Sequence, residues 1–221
     1  MKKKNPMAFP LLFAAAFAAA AYVLVAGDAQ PREYSGRIAM RLSGMLPRYH
    51  VLQRHLDDDL SCSIWSNLVT FYDFDHSVFL QPDLDALSSH KFTIDDELRE
   101  GDVSFGDEIH ALYCKRLGER VGFATNCLAS AQWDFTADEN YRTKRKDAPW
   151  PKTREEAEDH WRRRLKNEML VARVNHDLDK STNAFAAAAD LVKKYRQYAT
   201  VMTEPDEEAV LQHYLSAICR A

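Results

Sequence analysis

Apolar residues recur three or four positions apart along most of the chain, and no stretch shows the alternation of apolar and polar residues that marks a strand. Six groups of apolar residues each fall on one face of a helix: Ile38, Leu42 and Met45; Leu60, Ile64, Leu68 and Phe71; Phe105, Ile109, Leu112, Leu117, Val121, Ala124 and Leu128; Ala157, Trp161, Leu165, Met169 and Ala172; Phe185, Ala189, Val192 and Ala199; Val210, Tyr214 and Ile218. The pattern predicts an all-α fold, an irregular bundle of about seven or eight helices.

Capping residues predict several of the helix ends in the first and last parts of the chain. The first helix is expected to end near Pro47, and the second to follow the N-cap Asp57 and end at residues 72–73. A short helix over residues 82–87 is expected next, because a proline suits the first turn. The acidic run 206–208 suits the positive end of the last helix.

The middle of the chain carries further capping signals. Thr93 with Asp96 resembles a capping box for a short helix that Gly101 would end. Asp102 then caps the longest predicted helix, over about residues 103–131.

The last third of the chain is predicted to hold two long helices. Thr153 and Glu156 form a capping box for a helix that runs to about Val174. A polar break over residues 175–180 separates it from a helix over about residues 182–201.

An aromatic connector over residues 133–151 precedes the capping box at Thr153. Since it holds two tryptophans, a phenylalanine and a tyrosine, we expect it to pack across the helices rather than to form a free linker. Trp161, inside an apolar stripe, is predicted to be a core residue. For Trp150, in the connector, two interpretations stay open: a core residue, or an exposed anchor for a partner protein.

The N-terminal residues 1–29 are predicted to lie outside the folded domain, which we expect to span residues 33–221. Three lysines at positions 2–4 precede an apolar stretch from Met7 to Ala26, which is the pattern of an export signal. Cleavage after Ala26 or Ala29 is favoured over an uncleaved membrane anchor, because the stretch is rich in alanine and is followed by small polar residues. Any contact with a membrane is expected through this segment alone.

A formal net charge of -4 and a pI near 6.1 argue against a nucleic-acid-binding protein. The basic run that includes Arg162 and Arg164 is balanced by acidic residues just before it, so a solvated helix face is favoured. Export permits disulfides among the four cysteines, Cys62, Cys114, Cys127 and Cys219, but burial as free thiols is at least as well supported. Cys114 and Cys127 lie too far apart on one helix to pair.

Motifs for catalysis, cofactors and metals are absent or incomplete in the sequence. There is no GxSxG, HExxH, P-loop or GxGxxG motif, so no catalytic residue and no cofactor are predicted. Alternating oxygen side chains in the segments 73–77 and 177–183 lack the glycine and glutamate of a calcium loop, so loop and helix-capping roles are favoured. The pairs His110–Cys114 and His50–His55 lack a third ligand, so no metal site is predicted.

Three segments resemble the N-terminal helical region of the tail-specific, or carboxy-terminal processing, proteases. They are residues 56–87, with an acidic helix start and the Phe79-Leu80-Gln81 stretch; residues 134–170, with Asp147-Ala148-Pro149-Trp150-Pro151 and the Trp161-Arg162-x-Arg164-x-Lys166-Asn167 pattern; and residues 193–221. The middle segment is the most specific of the three. In order, they cover most of the chain after residue 55.

The resemblance implies a periplasmic, non-catalytic helical domain that helps to enclose the substrate and docks an adaptor lipoprotein or the protease body. In that family a peptide-binding PDZ domain and a protease domain with a Ser/Lys dyad follow this region, and neither lies within these 221 residues. We therefore expect no peptidase activity from this chain alone. Trp150, Arg162 and Arg164 are its candidate partner-binding residues.

Two further hypotheses differ from a protease domain. The chain could be a stand-alone interaction module of the cell envelope, because its predicted helices have complete starts and ends. It could also compete with an intact protease for that protease's adaptor. The first expectation remains a protease N-terminal domain separated from its catalytic part, as a gene fragment, a truncated product or a degenerate remnant.

Overall fold

The computed structural model describes residues 31–49, 55–130, 133–179 and 184–221. Over these residues the chain forms eight α-helices, one 3-10 helix and no strand, which confirms the all-α prediction. The α-helices are α1 (Pro31–Tyr49), α2 (Asp58–Tyr72), α3 (Gln81–Leu87), α4 (Ile94–Glu100), α5 (Ser104–Ser130), α6 (Arg154–Asp179), α7 (Ala184–Thr203) and α8 (Glu207–Cys219), and the 3-10 helix spans Ser88–Phe92. The predicted export segment 1–29 and His50 lie outside the described residues.

Helix α5 occupies the centre of the bundle and packs against α2, α6, α7 and α8. Its inward face buries the predicted residues except Leu112, which is only partly buried. It also buries Tyr113, which the periodicity did not predict as a core residue. Helix α1 packs against α4 and α8 on the other side of α2. None of the helices in the described ranges is long and apolar enough to cross a membrane.

Local side-chain caps confirm most predicted helix starts. The Asp57 carboxylate accepts a hydrogen bond from the Leu60 amide at 3.0 Å, and Asp206 accepts one from the Ala209 amide at 2.9 Å. Asp102 accepts the Ser104 amide at 2.8 Å. Such caps satisfy amide groups that have no partner inside their own helix.

The short helix α4 begins and ends as predicted, but its cap differs. Gly101 ends α4 in a left-handed conformation with φ +79°, which a glycine adopts without strain. Thr93 makes no capping hydrogen bond with its side chain, and its hydroxyl donates instead to the Glu97 carboxylate at 2.7 Å. The capping-box prediction at Thr93 was therefore wrong, because a carboxylate within reach competes for the hydroxyl.

In α1 and α2, two predicted core residues are exposed. Met45 is 54% exposed and Phe71 is 42% exposed. Helix α1 instead packs on α4 through small residues, including Gly36 and Ala39, which turns Met45 toward solvent. Phe71 lies at the edge of the bundle, against the ring of His213 at 4.7 Å.

Helix α1 continues through Pro47, where the sequence predicted an end. Pro47 lies two residues before the end of α1, so its missing N–H affects only the last turn.

The helices of the last third are shifted relative to the prediction. Helix α6 runs to Asp179 instead of Val174. Helix α7 ends at Thr203, and it buries Ala187 and Tyr195, whereas the predicted inward residue Ala189 is exposed. The predicted inward side chain of Phe185 lies outside the described residues.

Candidate functional site

The loop between α2 and α3 is organised by the carboxylate of Asp73. Its oxygens accept hydrogen bonds from the amides of Ser77 at 2.8 Å, Val78 at 3.1 Å and Phe79 at 3.0 Å, and from the indole N–H of Trp150 at 3.0 Å. Asp73 is only 2% exposed, and burial raises the pKa of its carboxyl, although these donors act to lower it. Asp73 thus caps the loop, which confirms the predicted loop role of the first calcium-like segment; part of the second, 177–183, lies outside the described residues.

Trp150 fixes the connector to this loop. Its ring stacks on His76 with centroids 3.4 Å apart, and the amide of Gln81 donates to the carbonyl of Pro151 at 2.8 Å. Trp150 is half-buried, so it combines a structural indole hydrogen bond with an accessible ring edge. Its role as a partner-binding residue stays a prediction.

Trp161 is a core residue, as predicted. It is 2% exposed, and its indole N–H donates to the carbonyl of Ser77 at 2.8 Å. The two tryptophans therefore donate to the same loop, Trp150 from the connector to Asp73 and Trp161 from α6 to Ser77.

The two candidate arginines have different surroundings. Arg162 forms ion pairs with Glu139 at 3.1 Å and Asp159 at 3.0 Å, and the hydrogen bond to Glu139 raises its pKa. The guanidinium of Arg164 lies over the rings of Trp161 at 5.1 Å and Tyr195 at 5.8 Å.

Trp150 and Arg164 line two separate cavities, so the structure does not gather the three candidates into one site. Arg164 lines an aromatic groove of about 350 Å³, with Phe74 and Tyr198 exposed at its rim. No pattern in the sequence indicated this groove, because its walls come from α2, the 73–78 loop, α5, α6 and α7 together.

A larger apolar groove of about 590 Å³ lies between α1 and α8. Ile38 of α1 faces Leu211 and Leu215 of α8 across it. Cys219, the last residue of α8, also lines this groove. Tyr34, at its edge, is 61% exposed. Exposed apolar surface of this kind marks many protein contact sites.

The family model "Tail specific protease N-terminal domain" matches residues 42–221. The chain belongs to this family. It is also 29% identical over 189 residues to the tail-specific protease of Haemophilus influenzae. That match covers 85% of this chain but only 26% of the relative, so the chain spans about a quarter of the relative's length. All three segments that carried the resemblance fall within the matched range, which confirms it.

In this tail-specific protease N-terminal domain, the predicted His110–Cys114 pair is in contact but holds no third metal ligand. The Cys114 sulfur lies 3.3 Å from His110 Nε2, and the Tyr72 hydroxyl lies 3.4 Å from Nδ1. Burial raises the pKa of the Cys114 thiol, which favours its protonated form. No group of three metal-binding side chains occurs within the described ranges.

The four cysteines of the domain, all within the described ranges, are free thiols. Cys219 is exposed and the other three are partly buried. Of the two interpretations that the sequence left open, the structure supports free thiols.

Proposed function

We propose that this domain is the non-catalytic helical part of a periplasmic tail-specific processing protease, where it helps to enclose the substrate and docks an adaptor or the protease body. The match of the family model to residues 42–221 carries this proposal. The Haemophilus influenzae relative named as a tail-specific protease extends well beyond the matched region, since the match covers 26% of it. The catalytic part is therefore expected in the region of the relative outside the match. The contact surface is expected among the exposed residues of this domain.

The groove between α1 and α8 is the contact surface that we assign to the protease body. It is mainly apolar, and Cys219 at its end lies at the edge of the matched range, which reaches residue 221. In a longer relative the following chain starts at this edge, so the next domain lies within reach of the groove. Burial of Ile38, Leu211 and Leu215 against that domain removes apolar surface from water.

Leu211→Glu tests this assignment. Leu211 is half-exposed and lines the groove, so a charge there should weaken the complex between the full chain and the remainder of the Haemophilus influenzae relative, produced separately, by about tenfold or more. Binding is measured by calorimetry. Val201→Glu is the matched control, because Val201 is 68% exposed on α7 and lies outside the groove. Equal binding by wild type and Leu211→Glu would remove the groove from the proposal.

Export to the periplasm is the second part of the proposal, and the lysines and apolar stretch of residues 2–26 support it. Fusion of residues 1–35 to alkaline phosphatase lacking its own signal should yield an active enzyme, since that reporter folds only after export. Replacement of Lys2, Lys3 and Lys4 by glutamate should reduce the activity several-fold. An inactive fusion that is nevertheless produced would argue against export.

A further inference from the structure

A cavity of about 370 Å³ lies between the connector and the first half of α6, apart from the groove assigned above. Its walls include Tyr141, Arg142, Arg145, Trp150, His160 and Arg163. Three guanidinium groups thus face a space large enough for a small molecule or for the end of a larger one.

Two of these three arginines have no carboxylate partner in the part of the chain that the structure describes. Arg145 donates only to the backbone carbonyls of His76 at 3.5 Å and Pro149 at 3.3 Å, and its Nε is buried without a hydrogen-bond partner. Arg142 is exposed and forms no ion pair there. Arg163 does pair, with Asp159 at 2.9 Å.

The two carboxylates that line the cavity do not bond to Arg142 or Arg145. Asp159 is shared between Arg162 and Arg163, and Glu156 accepts the amide of Lys152 at 2.7 Å. Arg142 and Arg145 therefore keep guanidinium donors that no carboxylate of the described residues occupies.

Burial lowers the pKa of Arg145, and the like charge of Arg142 acts in the same direction, whereas Tyr141, Asp73 and Asp75 act to raise it. Lys144 and Lys146 are exposed on the same segment and add positive charge, of which the exposed Asp147 offsets one unit. An arrangement of like charges with unused donors is stabilised when an anion enters it.

Tyr141 and His160 add a flat aromatic surface to the cavity. The ring of His160 stacks with Tyr141, with centroids 5.8 Å apart at 22°. Burial and the charges of Arg145 and Arg164 lower the pKa of His160 to about 4. The imidazole therefore adds a hydrogen-bonding group without further charge.

We propose that this cavity is an oxyanion-binding site, in which Arg142 and Arg145, flanked by Arg163, hold a carboxylate or phosphate group. Planar guanidinium groups present paired N–H donors that match both kinds of oxyanion. The site is independent of the groove between α1 and α8, since the two have no lining residue in common.

Calorimetric titration of the full chain with inorganic phosphate, and separately with citrate, tests the site at constant ionic strength with chloride as the background anion. We expect saturable binding of at least one of the two, weakened about tenfold by Arg145→Met and by Arg142→Met. The second variant matters because Arg142 is exposed and its loss leaves the fold intact. Arg41→Met, an exposed arginine on α1, is the charge-matched control.

Each outcome decides for or against the site. Binding of phosphate alone identifies a phosphate group as the ligand, and binding of citrate alone identifies a carboxylate. Either result, or binding of both anions, supports the proposal when the two variants weaken binding and the control does not. No saturable binding to the wild-type chain, or equal weakening by Arg41→Met, would overturn it.

Discussion

We expect Asp73→Ala to lower the free energy of unfolding by about 3–5 kcal/mol. The substitution leaves the amides of Ser77, Val78 and Phe79 and the indole N–H of Trp150 without their acceptor. Each buried donor without a partner costs about 1–3 kcal/mol, partly relieved where water can enter. The measurement is urea denaturation followed by circular dichroism.

Two companion variants separate the hydrogen bonds from the charge. Asp75→Ala, two residues away and exposed, should change stability by less than about 0.5 kcal/mol. Asp73→Asn keeps one acceptor oxygen and should fall between Asp73→Ala and wild type. If Asp73→Ala were no more harmful than Asp75→Ala, the loop would not depend on this carboxylate.

Gly36→Ala should lower the free energy of unfolding by about 2–3 kcal/mol. A methyl group at Gly36 would lie 2.5 Å from the carbonyl oxygen of Gly101, which is backbone and cannot rotate away. Helix α1 would have to move from α4, and the packing of Ala39 would change with it. Thermal unfolding followed by circular dichroism measures the loss.

Gly44→Ala is the matched control on the same helix. Nothing lies within 4 Å of the added methyl group, and alanine favours a helix over glycine by about 0.5–1 kcal/mol. We therefore expect Gly44→Ala to raise the melting temperature while Gly36→Ala lowers it. An increase in melting temperature for both variants would show that helix propensity, not the close approach of α1 and α4, controls stability at Gly36.

Helix starts could be predicted from the sequence because their causes are local. A cap such as Asp57 or Asp206 acts on an amide three residues away, so the pattern and the interaction lie in the same short segment. The same holds for Gly101, whose conformation ends α4. The buried faces of α2, α5 and α8 also followed largely from their apolar spacing, apart from the outer end of α2 and Leu112 of α5, which is only partly buried.

The burial of residues at the ends and edges of the helices could not be predicted from the sequence, because it depends on which helices pack against each other and through which residues. Met45 continues an apolar stripe, yet α1 meets α4 through glycine and alanine instead. Arg120 is the opposite case, a charged residue that is buried. It is 1% exposed and donates to the carbonyl of Val78 at 3.3 Å, although a charged residue is normally placed at the surface.

The candidate sites show the same division. Trp150 and Arg164 were selected from a motif in the sequence, but the cavities that they line are built from segments far apart in the chain. Arg145 lies in a basic stretch that sequence analysis treated only as part of the connector. Its buried, unpartnered Nε becomes visible only when the connector is folded against α6.

The most direct test of the proposed function is a chimera of the Haemophilus influenzae tail-specific protease in which the region matched by this chain is replaced by residues 31–221. Cleavage of a reporter protein with an accessible C-terminal tail is measured for the chimera, for the intact relative and for the relative without that region. We expect the chimera to process the reporter at a rate well above that of the truncated enzyme, while the chain alone shows no turnover. A folded chimera no more active than the truncated enzyme, or turnover by the chain alone, would contradict it.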